Sequence, residues 1–310
     1  MDFNPVEDGL FLGSRRGLQD FLLSHTSSTV KVLTIESDDL SQIPSGVLEH
    51  KFIQVDDLVT ADLLSHFDDI VSFIKTGLLT CAVYVHCRHG VSRSATACAA
   101  YLMAKHGISA DDAVKRLRHC RPCVSPNAGF RRQLELYERL GCRTSLEQPE
   151  FRRYRLRAAA QAAGMDISRL TTLSEPLLVA DAGLPGAAGP PAAVYRCRQC
   201  RTALFSEHSV VKEQEKAPGV TAGCIRLLPL PWMTTALCQP RGRLSCPRCS
   251  HKLGSFSWLP DSGLPEEDFE PSFLITRSRV DHCPPRVAAL CIAQRPLAEK
   301  PRTIVANGSR

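Results

Sequence analysis

The first half of the chain alternates short apolar runs with stretches whose apolar residues recur every three or four positions. The short runs lie at residues 10–12, 30–35, 52–55 and 82–85, and they predict β-strands. The run at 82–85 is apolar throughout, which is typical of a strand buried on both faces of a sheet.

Helical periodicity occupies the segments between and after these runs. In residues 61–77 the apolar positions step by three and four, and Gly77 is placed to end the helix. Further helices are predicted over 94–105, 110–118 and 126–140. Because strands alternate with helices, residues 1–145 predict an α/β domain with a central, mostly parallel sheet flanked by helices.

The pattern changes in the second half of the chain. Residues 146–193 join a basic, alanine-rich helical stretch to the sequence LPGAAGPPAA, and we interpret them as a helix and a linker. Residues 194–290 carry paired cysteines and short apolar segments, which indicates a small metal-stabilised domain. Residues 291–310 are polar and contain prolines, and they predict a flexible tail.

The turn between the strand at 82–85 and the helix at 94–105 belongs to the sequence VHCRHGVSRS. A strand-to-helix turn of this kind directs backbone N–H groups at an anion. Gly90 lets the backbone approach a ligand closely, and the same electrostatic field favours the thiolate of Cys87. Arg93 can bind two oxygens of an oxyanion through its planar guanidinium.

A tetrahedral phosphate fits a ring of N–H donors, a bidentate arginine and a thiolate in line with one oxygen. The turn therefore predicts phosphoryl transfer to Cys87 and subsequent hydrolysis. The residues predicted to bind the phosphate are Arg88, His89, Gly90, Val91, Ser92 and Arg93.

An alkoxide leaving group needs a proton, and Asp57 follows the strand at 52–55 at the edge where the turn emerges. Asp57 is predicted as general acid in the first step and general base toward water in the second. Asp56 is the alternative acid, and solvation or helix capping is the alternative role for either carboxylate.

Three further residues have two interpretations each. His86 either orients Cys87 through nearby backbone or closes the strand as a core histidine. Ser94 either donates a hydrogen bond to the sulfur, which helps it leave, or caps the helix. Asn127 either braces the catalytic turn or caps its own helix.

The second half contains two C-x-x-C pairs, in YRCRQC and LSCPRCS. Two such pairs can supply a closed tetrahedral Cys₄ zinc site that replaces a core too small to fold alone. The predicted ligands are Cys197, Cys200, Cys246 and Cys249. Cys224, His208 and Cys238 lie between the pairs and are left out of this prediction, because lone residues are more often core or surface positions.

Composition adds a few limits to this picture. The net charge of +6 favours acidic partners such as phosphoesters or nucleic acid. No apolar segment suggests a secretory signal or a membrane span, so an intracellular protein without a membrane partner is predicted. In an intracellular protein the 14 cysteines indicate free thiols or metal ligands rather than disulfides. Cys120 or Cys123 is either a thiol that resolves an oxidised Cys87 or a packed residue.

Residues 9–140 resemble the cysteine-dependent dual-specificity protein phosphatases. The resemblance lies in GLFLGS near the start, Asp57, the signature His-Cys-x-x-Gly-x-Ser-Arg-Ser at 86–94, and PNAGFRRQLELYE at 126–138. It implies a short catalytic domain with a shallow site, open to phosphotyrosine and to phosphoserine or phosphothreonine, and a cysteinyl-phosphate intermediate.

The second half is similar to the dual specificity protein phosphatase 12 type, in which a zinc-binding domain follows the catalytic domain. The similar segments are CRQCRTALF, PWM, CPRCSHKLGSFSW and the Arg-Val-Asp at 279–281. The resemblance implies one structural zinc, whereas the family's second ion is in doubt because its Cys-x-Cys pair after GSF-x-W is absent here. It also implies association with large-subunit ribosomal precursors, and a location in nucleus and cytoplasm.

Three functional hypotheses follow. The first is an active phosphatase of phosphoproteins with a zinc-stabilised targeting domain, favoured because Cys87, Arg93 and Asp57 are all present. The second is a docking or assembly factor on a ribonucleoprotein, in which the cup only reads phosphate. The third, sulfur transfer through a persulfide on Cys87, has no use for Asp57 and is disfavoured. Oligomeric state is not predicted.

Overall fold

The computed structural model describes residues 2–25, 29–38, 45–164, 170, 177–187, 190, 192–211, 223–259 and 270–285. These residues divide into two compact units. The first contains the described residues up to Leu177 together with 270 and 271, and the second contains the remainder. No helix within the described ranges has the length and apolarity that crossing a membrane requires.

A five-stranded sheet forms the centre of the first unit, in the order β1-β2-β5-β3-β4. Its strands are β1 (Phe3–Glu7), β2 (Leu10–Ser14), β3 (Val30–Glu36), β4 (Val47–Gln54) and β5 (Ala82–Cys87). β1 pairs antiparallel with β2, and the other three pairings are parallel. The predicted mostly parallel central sheet is therefore confirmed, with the apolar β5 in the middle.

Two edge strands differ from the sequence prediction. β1 was not predicted, because Asn4 and Pro5 are poor strand formers. Its position at the sheet edge tolerates a proline, since one side of an edge strand needs no backbone donors. β4 begins at Val47 rather than at residue 52. It forms the other edge of the sheet, and its first residues are exposed or partly exposed and include charged side chains, so no apolar run marks them.

Helices flank this sheet. They are α1 (Gly17–Ser24), α2 (Phe67–Gly77), α3 (Arg93–His106), α4 (Ala110–Cys120), α5 (Ala128–Arg139) and α6 (Pro149–Ala163). A 3₁₀ turn at Leu64–His66 precedes α2, so the predicted helix over 61–77 is divided in two. α3 is buried from Arg93 to Met103, and its alanines allow close packing on β5 and neighbouring helices.

The compact units do not end at the predicted boundaries. α6 was assigned to the segment 146–193, but its Phe151 belongs to the hydrophobic core of the first unit and Tyr154 packs against that core. In the second unit, Asp181 already accepts hydrogen bonds from Ser206. The division at 145 and 193 stays a prediction about which segments fold independently.

The second unit contains two small sheets. Their strands are β6 (Val194–Cys197), β7 (Ala203–Ser206), β8 (Cys224–Arg226), β9 (Arg241–Ser245), β10 (Lys252–Ser257), β11 (Ser272–Thr276) and β12 (Val280–Cys283). The orders are β8-β11-β10-β9 and β12-β6-β7, with antiparallel pairing. The predicted tail at 291–310 lies outside the described residues.

Candidate active site and cysteine cluster

The central strand β5 ends at Cys87, whose side chain is 1% exposed. Parallel pairing with β2 places Ser14 opposite Cys87, and the Arg15 backbone N–H donates to the Cys87 carbonyl at 2.9 Å. Two neighbouring strands thus fix the residue where the strand becomes a loop. The loop 88–92 then leads directly into α3.

The carbonyl groups of this loop are bonded to groups outside it. Ser125 N–H donates to Val91 O, Thr96 N–H donates to Ser92 O, and Arg121 donates to the carbonyls of His89 and Gly90. In a trans peptide the next N–H points opposite to the carbonyl. The N–H groups that follow therefore point away from these outside partners, which is the orientation that an oxyanion cup requires.

Gly90 occupies a position that only glycine suits. Its φ is +68°, in the left-handed region, and a Cβ there would lie 2.5 Å from the backbone of Gly13. The loop can therefore pack against β2 only without a side chain at residue 90.

Arg93 is the first residue of α3 and is 5% exposed. Its Nη1 donates to the Val55 carbonyl at 3.1 Å, whereas its Nε has no hydrogen-bond partner. That Nε lies 3.8 Å from Asp57 Oδ2. A buried donor without a partner is costly, and an oxyanion in the cup would satisfy it.

Asp57 joins the cup from the loop after β4. Its Oδ1 accepts from Ser92 Oγ at 2.7 Å and from Asn127 Nδ2 at 2.8 Å. Asn127 also caps α5, because its Oδ1 accepts from the Phe130 N–H at 2.9 Å. Both roles considered for Asn127 are thus present in its contacts. Asp57 is the carboxylate that approaches Arg93, and both Asp57 and Asp56 are exposed.

Ser94 and His86 flank the cysteine. Ser94 Oγ donates to Cys87 Sγ at 3.2 Å, whereas the N-cap position of α3 is occupied by Ser92, whose side chain makes no capping hydrogen bond. His86 is fully buried, and its Nε2 lies 2.8 Å from Thr34 Oγ1 on β3. Burial lowers the pKa of His86 to about 4, so the ring is neutral at physiological pH.

A cavity of about 570 Å³ opens beside the cup. The exposed side chains of Arg88 and His89 line it together with Arg93. Residues outside the catalytic turn complete the lining, namely Asp2, Arg15, Arg16, Glu36, Ser37 and Asp38. Positively and negatively charged side chains therefore line the entrance to the phosphate cup.

Sequence reasoning missed Arg121, which is 6% exposed and donates hydrogen bonds to the outer side of the loop 88–92. Its Nε donates to Gly90 O at 3.0 Å, and its Nη2 donates to His89 O at 3.3 Å and to Asp2 Oδ1 at 2.8 Å. The only signal in the sequence is an arginine at the end of a helix, which does not indicate a contact with a loop thirty residues earlier.

The four predicted metal ligands converge in the second unit. The Sγ atoms of Cys197, Cys200, Cys246 and Cys249 all lie within 4.8 Å of one another. Two of the S–S separations are 3.6 and 3.7 Å. A tetrahedron with Zn–S bonds of about 2.3 Å has edges of about 3.8 Å, so these four thiols fit a zinc ion.

Other cysteines considered in the sequence have separate places. Among the described residues no second metal-ligand group includes Cys224 or His208, and Cys238 is exposed. Cys120 is half-buried with its Sγ 3.9 Å from the Val6 carbonyl, and Cys123 is exposed. A resolving role for either thiol stays a prediction.

Comparison with known proteins agrees with this geometry. The family described as "Dual specificity phosphatase, catalytic domain" matches residues 10–140. Human "Dual specificity protein phosphatase 12" is 30% identical over 300 residues, which cover 89% of this chain and 87% of the human protein. "Tyrosine-protein phosphatase YVH1" of Saccharomyces cerevisiae is 25% identical over 347 residues, covering 91% of this chain and 92% of the yeast protein.

Among solved structures, the Yvh1 phosphatase domain from Chaetomium thermophilum is 30% identical and has a TM-score of 0.42. The match covers 46% of this chain and 99% of that domain.

Proposed function

This chain belongs to the dual specificity protein phosphatases, of the dual specificity protein phosphatase 12 type, and we propose that Cys87, Arg93 and Asp57 carry out its reaction. As a dual-specificity enzyme it acts on phosphotyrosine and on phosphoserine or phosphothreonine in proteins. One observation carries the assignment: the thiol at the end of β5, the unpartnered Arg93 Nε and the Asp57 carboxylate meet at one cup.

In the first step the Cys87 thiolate attacks phosphorus and the bond to the substrate oxygen breaks. The inward N–H groups of residues 88–92 and the Arg93 guanidinium bind the three equatorial oxygens. Asp57 gives its proton to the departing alkoxide or phenoxide, so the products are the dephosphorylated protein and a cysteinyl phosphate.

In the second step Asp57, now a carboxylate, removes a proton from water. The water oxygen attacks phosphorus, the S–P bond breaks and inorganic phosphate forms. The Ser94 hydroxyl, 3.2 Å from Cys87 Sγ, stabilises the sulfur as it takes back the electron pair. His86 acts as a neutral support on β5 rather than as a base, since burial keeps it unprotonated.

For the second unit we propose one structural zinc ion held by the four clustered thiols. Zinc would crosslink β6 and the turns around the two C-x-x-C pairs, and so stabilise a domain whose sheets are small. We propose a second ion only if Cys224 or His208 gains ligands from outside the described residues.

We also propose that the second unit docks on large-subunit ribosomal precursors, and that the protein occurs in nucleus and cytoplasm. The described residues of this unit carry ten lysines and arginines against three acidic residues. A surface with this balance favours the phosphates of RNA. The resemblance to the type 12 phosphatases is the other support.

The decisive experiment compares wild type with Cys87→Ser on an aryl phosphate, a phosphotyrosine peptide and a phosphothreonine peptide. Zinc content is measured on the same samples. We expect turnover of all three substrates by wild type, none by Cys87→Ser, and about one zinc per chain. A reduced, folded, zinc-loaded wild type without turnover would instead favour the docking factor.

Rescue of a cellular defect separates the two roles. Cys87→Ser should fail to rescue if catalysis is the function, and should rescue if docking alone is required.

A further inference from the structure

The loop that carries Asp57 is held mainly by α5, a helix seventy residues further along the chain. The N-cap residue of α5 and two residues within the helix contact the loop: Asn127 donates to the Asp57 carboxylate, Gly129 lies against Val59, and Gln133 binds the end of the loop. They follow one another along the helix as the loop runs from Asp57 to Leu64. The loop therefore has contacts with α5 at both ends.

Gln133 makes three hydrogen bonds to the backbone of this segment. Its Oε1 accepts from the N–H groups of Leu63 and Leu64 at 2.9 and 2.8 Å. Its Nε2 donates to the Ala61 carbonyl at 2.7 Å. The side chain is 5% exposed, and both acceptor sites of its oxygen are used.

This amide adds to a local cap, in which Asp62 Oδ1 accepts from the Ser65 N–H at 3.0 Å. The 3₁₀ turn at Leu64–His66 has no side-chain hydrogen bond from its own N-cap residue, Leu63. The first N–H groups of a helical turn need acceptors, and here Gln133 supplies one. The N–H groups of Leu63 and Leu64, where the loop ends, are thus bonded by a residue of another helix, while the next one is bonded locally by Asp62.

Gly129 fixes the distance between the two segments. A Cβ at residue 129 would lie 2.0 Å from the Val59 carbonyl oxygen. The α5 backbone therefore touches the loop midway between Asp57 and Ala61, and any side chain there would push the loop away.

We propose that Gln133 is a positioning residue for the general acid: it sets the Asp57 loop in its working place before substrate arrives. The inference rests on the proposed role of Asp57. Without the three bonds, the segment after Asp57 loses its anchor and the carboxylate shifts from the leaving-group oxygen. The bonds that hold the Cys87 carbonyl, the His89 and Gly90 carbonyls and the Arg93 Nη1 involve none of the residues 61–64, so we expect the thiolate and the arginine to keep their places.

The consequence depends on the leaving group. A misplacement of about 1 Å costs about 10²-fold in rate when the displaced group acts in the rate-limiting step. A basic alkoxide needs the proton, whereas a nitrophenolate leaves without it. Loss of Gln133 should therefore slow phosphothreonine hydrolysis strongly and nitrophenyl phosphate hydrolysis little.

The test uses Gln133→Met in the full chain, because methionine keeps the length of the side chain and removes the amide. The matched control is Gln148→Met. Gln148 also bridges backbone groups, accepting from Ser145 N–H at 3.0 Å and donating to Leu140 O at 3.0 Å, but it lies in the turn after α5. We would measure kcat and KM for aryl phosphates of increasing leaving-group basicity and for a phosphothreonine peptide.

We expect Gln133→Met to lower kcat on the phosphothreonine peptide by about 10- to 100-fold, with a smaller change on nitrophenyl phosphate. In an Asp57→Asn background the same substitution should have no further leaving-group effect. An equal loss on all substrates, an unchanged profile, or the same profile in Gln148→Met would overturn the proposal.

Two further results keep the conclusions separate. If Asp57→Asn alone leaves the leaving-group dependence unchanged, the assignment of Asp57 as acid fails, whatever Gln133→Met does. If Gln133→Met does not fold, Gln133→Glu takes its place in the same assay, because glutamate keeps an acceptor for the Leu63 and Leu64 N–H groups and loses the donor to the Ala61 carbonyl, and the same results decide.

Discussion

Replacing Arg121 with methionine tests whether its hydrogen bonds to the His89 and Gly90 carbonyls keep the loop 88–92 in shape. Methionine retains the apolar stem of the side chain and removes every guanidinium donor. The carbonyls of Gly90 and His89 each lose a hydrogen bond, at 3.0 and 3.3 Å, and Asp2 loses its ion pair at 2.8 Å. The N–H groups that follow these two carbonyls are among those that we propose bind the phosphate.

The cost can be worked out from burial. Gly90 is buried, so its unsatisfied carbonyl costs about 1–3 kcal/mol. His89 is exposed and the Asp2 side chain is 47% exposed, so water can replace much of what they lose. A total of about 2 kcal/mol corresponds to a melting temperature lower by about 4–8 °C for a unit of this size. Displaced N–H donors should lower kcat/KM by about 10²-fold.

The assay combines thermal unfolding with kcat/KM on an aryl phosphate, for wild type, Arg121→Met and Arg118→Met. Arg118 is the matched control, because its Nε donates to the Val124 carbonyl at 2.9 Å, outside the cup. Arg121→Met should lose both stability and activity, and Arg118→Met should keep its activity. Full activity in a destabilised Arg121→Met would refute the reasoning, since the cup would then keep its shape without this arginine.

Three further outcomes are expected. Arg93→Lys should lower kcat/KM on the same aryl phosphate by about 10²–10³-fold, because an ammonium group cannot replace the bidentate guanidinium. A loss under tenfold would contradict this. Zinc removal by a chelator, or Cys246→Ser, should unfold the second unit, while the first unit still hydrolyses aryl phosphate. Hydrogen exchange would report the unfolding, and turnover of aryl phosphate by the same sample would report the activity. In the unfolded state His86 binds a proton below about pH 6.5, whereas in the folded state it does so only below about pH 4. Between these values the unfolded state binds more protons, so the folded state is destabilised by acid. Acidification from about pH 7 to about pH 5 should therefore lower the free energy of unfolding by about 2 kcal/mol. In urea titrations His86→Gln should lack this contribution, and an equal pH dependence in the variant would assign it to other groups.

Much of the catalytic site was predictable because it is contiguous in the chain. The strand before Cys87, the loop and the helix after it were recognisable from apolar patterning and from a glycine between a cysteine and an arginine. The type of fold followed from the alternation of strands and helices. The paired cysteines were likewise recognisable, because each C-x-x-C pair is local and its partner has the same spacing.

The sequence alone did not distinguish Asp57 from Asp56, since adjacent acids at a strand end have the same local pattern. The fold separates them by their contacts, because Ser92 and Asn127 both donate to the Asp57 carboxylate.

What the sequence by itself determined about this protein is therefore the chemistry, in the residue types at the strand-to-helix turn and in the cysteine pairs. Only the tertiary structure decided which distant groups contact these residues: Arg121 at the carbonyls of the loop 88–92, the Arg15 N–H at the Cys87 carbonyl and Gln133 at the segment after Asp57. The physical reason is that periodicity reports which face of an element is buried, whereas a buried polar group is satisfied by whatever the packing brings within about 3 Å.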